Sequence, residues 1–111
     1  MIDEILKMVD GLKIHETRTE GPEYHEMVIY AKDLPAWEKI FIEALGLAVK
    51  PSGRKPEDEH LLITEESGGI EKTQTLYVKK SEIGVMMIML WPWQDKERVT
   101  VKMVFIKGGQ G

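Results

Sequence analysis

Apolar residues near the start of the chain recur at helical spacing. Ile2, Ile5, Leu6 and Val9 fall at i, i+3, i+4 and i+7, one stripe of a helix. Asp3 and Glu4 lie in its first turn, where the helix dipole favours anions, and Asp10-Gly11 supplies a stop. A second helix is predicted over 35–45. Trp37, Ile40, Phe41, Ala44 and Leu45 keep the same spacing, Asp33 stands at the cap, Pro35 suits a first turn and Gly46 suits a left-handed stop.

Elsewhere the period shortens to two. Segments 12–19 and 24–31 are predicted as strands joined by the turn Glu20-Gly21-Pro22-Glu23, with Met27, Ile29 and Ala31 on one face. Segment 50–58 (KPSGRKPED) is a polar loop. Segments 59–65 and 70–79 are predicted as a hairpin closed through Glu66-Ser67-Gly68-Gly69. Segments 85–91 and 99–106 supply the last two strands, and the tail 108–111 is expected to be flexible. The order α-β-β-α-β-β-β-β describes one α+β domain over 1–107. A mainly antiparallel sheet of five or six strands should pack on the 35–45 helix, with the N-terminal helix beside it.

One strand breaks the alternation. Val85-Met86-Met87-Ile88-Met89-Leu90-Trp91 is apolar on both faces of the pleat, whereas a half-covered strand alternates. Two helices cover one face of such a sheet. The other face then needs a curled sheet or a second copy of the chain, and a homodimer meeting at Met87 and Met89 is the expectation.

Composition narrows the classes. The chain has 111 residues, the size of one domain, and no cysteine, which excludes disulfides, thiolate metal sites and a cysteine nucleophile. Its longest apolar run, 85–91, is seven residues, against about 20 for a membrane helix. The first residues interleave charge with apolar positions, unlike an export signal. A cytoplasmic protein with no membrane partner is expected. Acids outnumber bases 19 to 15, for a net charge of −4, and the bases are scattered. That balance argues against a nucleic-acid partner.

Candidate chemistry is sparse. Each histidine has an acidic neighbour: His15-Glu16, His25-Glu26 and Glu59-His60. Imidazole with carboxylate suits zinc, iron or manganese, so His25, Glu26 and His60 form a candidate metal set. Strand alternation opposes it, because neighbours point to opposite faces and the apolar register separates His15 from His25. Trp91 and Trp93, with Tyr77, could line an apolar ligand pocket or anchor an interface. Lys50, Arg54 and Lys55 could hold an anion or belong to a solvated loop. GxSxG, HExxH, P-loop and GxGxxG patterns are absent, and no residue pattern names a cofactor. Three functions follow: a self-associating or protein-binding module without catalytic activity, a small-molecule-binding domain with a pocket near Trp91 and Trp93, or a metal-dependent enzyme.

The third carries a resemblance. Segment 24–50 (YHEMVIYAKDLPAWEKIFIEALGLAVK) resembles the opening of a vicinal oxygen chelate module through its histidine strand, Lys32-Asp33-Leu34 and Leu45-Gly46-Leu47. The resemblance implies a strand, a helix and three strands, the latter at 59–65, 70–79 and 85–91, and metal-dependent chemistry. In that pattern Glu26 takes the ligand position, one residue from His25, and the last strand, 85–91, lacks the glutamate the family offers there.

Overall fold

The structure, a computed structural model, describes residues 1–108; the tail beyond Gly108 that was expected to be flexible lies outside the described residues. Helix α1 spans Ile2–Met8 and its apolar stripe is buried at Ile2 and Ile5. Strand β1 is Glu16–Thr19, short and exposed throughout, and β2 is Tyr24–Tyr30. A 3-10 turn at Ala31–Asp33 leads into α2, Leu34–Leu45, which buries Trp37, Phe41 and Leu45. Helix α3 is Asp58–Thr64. Strands β3 (Thr75–Ser81), β4 (Gly84–Pro92) and β5 (Arg98–Lys107) complete the fold. The five strands form one antiparallel sheet in the order β1-β2-β5-β4-β3.

The pleat sorts side chains into two layers. Met27 and Ile29 of β2, Val99, Val101 and Met103 of β5, and Met86, Ile88 and Leu90 of β4 share one face with α1 and α2. Leu76, Met87, Met89 and Val104 lie on the other, packed with Ile70, Ile63 and Trp91. The two-faced burial predicted for 85–91 is present: residues 86–90 are essentially inaccessible.

What covers the second face corrects the sequence reading. Segment 59–65 is not a strand and forms no hairpin with 70–79; it is α3, and β3 begins only at Thr75. The first turn explains why. The backbone N–H of Glu57 donates to His60 Nδ1 at 3.1 Å, and the Thr64 hydroxyl donates to the His60 carbonyl at 2.7 Å. These side chains satisfy helical backbone groups locally, and Asp58 and Glu59 complement the dipole. The helix and the segment behind it bring Ile63 and Ile70 onto Met87 and Met89. Cover assigned to curling or to a second copy thus comes from the chain itself.

A second correction concerns Lys50, read as part of an anion site or a solvated loop. It is completely buried, and its ammonium donates to the carbonyls of Lys72 (2.8 Å), Pro51 (3.2 Å) and Gln74. Three carbonyls take all three ammonium donors, which leaves none for an anion. The same residue bridges to Leu76 at the outer edge of β3. From β2 onward the elements run strand, helix, helix, strand, strand, strand. Of the strand, helix and three strands implied by the resemblance, β2, α2 and the strands β3 and β4 are present, but 59–65 is the helix α3 and not the first of the three strands.

Candidate functional site

The residues singled out in the sequence are dispersed. His25 and Glu26 follow one another on β2 and point to opposite faces, His25 toward the α1 side and Glu26 away from it. Glu26 accepts a hydrogen bond from the Tyr24 hydroxyl at 2.6 Å and lies 3.8 Å from Arg18. Burial, then this bond to the carboxylate, pushes the Tyr24 phenol well above its ordinary range. His60 is on α3 and lines a cleft with Val78 and Lys80 of β3. Glu26 pairs laterally through Lys102 and Met89 to Leu76, so β2 and β3 stand three strands apart, about 14 Å at the usual spacing. The set His25, Glu26 and His60 is not brought together. His15 sits apart from His25, its Nδ1 3.1 Å from the Tyr30 hydroxyl, as the apolar register indicated.

Nor do Trp91, Trp93 and Tyr77 share a pocket. Tyr77 is buried on the helix face and its hydroxyl donates to Glu38 at 2.8 Å. Trp91 and Trp93 lie on the opposite face, and the chain's own cations occupy their rings. Lys102 Nζ is 3.4 Å from the Trp91 centroid, and the guanidinium carbons of Arg18 and Arg98 stand 5.5 and 5.4 Å from that of Trp93. The Trp93 indole donates to the Thr100 hydroxyl at 2.8 Å. Burial lowers the Lys102 ammonium pKa, with Glu26 opposing the shift. These contacts describe a filled corner.

The structure offers a different site. A cleft of about 150 Å³ opens between α3 and β3, lined by Val49, Ile63 and Val78 with Glu59, His60 and Lys80. Its floor is apolar and its rim carries one exposed acid, Glu59, and one exposed base, Lys80. His60 is only 7% exposed. Its Nδ1 is committed as an acceptor to Glu57, so in the neutral ring the proton lies on Nε2. Nε2 is 3.9 Å from Glu59, beyond a hydrogen bond, and remains a donor toward the cleft.

Glu57, Glu59 and His60 place ligand-type atoms within 4.8 Å of one another. The hydrogen bonding of the ring opposes a metal there. A metal-bound histidine normally donates from its other nitrogen, whereas here that nitrogen accepts. Binding at Nε2 would cost the helix its cap. The sequence singled out His60 for the wrong partners: the signal for its role was Glu57 three residues earlier, the spacing of a capping pair.

The segments that supply the cleft also carry bare apolar side chains outside its lining. Leu62, on α3 one turn from Glu59, is 74% exposed, and Leu47, two residues before Val49, is 78% exposed. Among the described residues no helix is long and apolar enough to cross a membrane. No family model matches the chain, and no curated protein or solved structure resembles it closely enough to count as a match.

Proposed function

We propose that this protein is a self-associating module and that two copies meet through the α3–β3 cleft about a two-fold axis. One observation carries the proposal: a single small surface holds both a hole and a knob. A two-fold interface uses the same patch on both partners, so the patch must complement itself. A space of this size accepts a group as large as benzene, hence one leucine side chain. Leu62 precedes the lining residue Ile63 on α3 and has most of its surface in water. Contiguous exposed apolar surface marks interaction sites, and α3 contributes both a lining residue, Ile63, and the bare Leu62.

Charge supports the same pairing. Glu59 on one wall and Lys80 on the other are both exposed. A two-fold axis between them sets each Glu59 against the partner's Lys80, which fixes the register of the two copies. Met87 and Met89, where a dimer contact was first expected, lie beneath α3 and Ile70 with no accessible surface. The proposed contact is therefore on the outside of the segment that buries them.

Hydrogen exchange at two protein concentrations tests the location. Amides of 59–63 and 78–80 should gain protection as concentration rises, while those of β1 on the far edge should not. Protection that ignores concentration, or that grows at β1 instead, contradicts the proposed surface.

A further inference from the structure

A second cleft lies at the opposite edge of the sheet, between the end of α1 and the β1–β2 pair. It measures about 240 Å³, and Asp10, Thr17, Glu20 and His25 line it together with Val9 and Leu12. His25 is 5% exposed. Within the described residues neither ring nitrogen has a hydrogen-bond partner, yet neither is sealed in the way the indole N–H groups of Trp37 and Trp91 are. The ring is also one of the residues that line the cleft. Buried polar groups in folded proteins almost always have partners, and leaving one without costs stability. An imidazole held in this way is suited to a partner that arrives from outside.

The lining defines that partner. One wall is apolar, from Val9 and Leu12, and the rim carries two carboxylates, Asp10 and Glu20. None of the lining residues is a lysine or arginine. Arg18, the nearest cation along β1, is turned to the other face, where it lies by Glu16 and Glu26 and over Trp93. A group with an apolar body and a cationic, hydrogen-donating head complements every part of this surface. We propose that the cleft between α1 and β1–β2, floored by His25, binds a small primary amine with an apolar tail. The ammonium sits between Asp10 and Glu20 within reach of His25, and the tail lies on Val9 and Leu12. This site is independent of the α3–β3 surface.

The test is a proton NMR titration of the full chain with isoamylamine, with isoamyl alcohol as the uncharged counterpart. Saturable shifts of the His25 ring protons and the Val9 and Leu12 methyl groups are expected with the amine at millimolar concentration, and weaker ones with the alcohol. Glu20→Gln, at an exposed position, should weaken the amine about threefold, in line with one exposed ion pair. Glu82→Gln, in the β3–β4 turn, removes the same charge elsewhere and should leave affinity unchanged. Absence of saturable shifts, equal binding of the alcohol, or equal weakening by both substitutions would overturn the proposal.

Discussion

Lys50 shows how a single residue can be misjudged from its neighbourhood. It stands in a segment of prolines, glycine and charge, which reads as solvated, yet its ammonium ties together the backbone at Pro51, Lys72 and Gln74. No local pattern announces a partner 22 residues away. Lys50→Met keeps much of the side chain's length and leaves those carbonyls without a donor. Urea denaturation should show a loss of about 1–3 kcal/mol. Tyr77 gives a prediction in pH. Burial, then the bond to Glu38, raises its phenol pKa above the ordinary 10.0. The folded chain therefore keeps this proton where the unfolded chain loses it. Stability from Tyr77 is complete below pH 10.0 and is lost as pH rises beyond it. Tyr77→Phe should cost about 1 kcal/mol at neutral pH, from the lost hydrogen bond. Its stability should then fall less steeply than the wild type on the alkaline side. Denaturant titrations on both sides of pH 10.0 measure this; parallel alkaline limbs would refute it.

At the scale of elements, the legible parts were those with long, consistent periods. Helix α2 runs through twelve residues with a proline in its first turn and Gly46 at its end, and the sequence located it within a residue. The two-faced apolar run of β4 was legible because seven consecutive apolar residues fit neither a half-exposed strand nor an amphipathic helix. Helix α3 was not. Seven residues make two turns, too few to separate a period of 3.6 from a period of two, and Leu61-Leu62-Ile63 mimics a buried strand. Its docking is testable through Gly68, which follows the 3-10 turn Glu65–Ser67 with φ +102°. A Cβ there would stand 2.7 Å from Trp91 Cη2 and 3.0 Å from Lys102 Nζ. Gly68→Ala should cost about 1–3 kcal/mol, from left-handed strain and from the ring it displaces. The tryptophan emission of the folded variant should shift as Trp91 moves. An unchanged melting temperature and spectrum would mean that this segment does not pack on the sheet as described.

At the scale of the molecule, α3 decides which apolar surface is left bare. The sequence placed an interface on the second face because nothing in the strand pattern could cover it. Once α3 covers that face, the bare apolar surface is on the outside, at Val49 in the cleft and at Leu47 and Leu62 on the segments that form it. None of these residues stood out in the sequence as surface, and Leu47 was noted only within Leu45-Gly46-Leu47, because exposure on a short helix and a loop is a property of packing. His60 did stand out, for metal chemistry that its hydrogen bond to Glu57 disfavours.

The most direct measurement is sedimentation equilibrium on the wild type, Lys80→Glu, Glu59→Lys and the double charge reversal. The wild type is expected to be a dimer. Each single reversal should weaken it by roughly tenfold, since like charges then oppose each other at two symmetry-related contacts of up to about 1 kcal/mol each. The double reversal should restore it. A wild type that stays monomeric at all concentrations, or single reversals with no effect, would contradict the proposed self-association through this cleft.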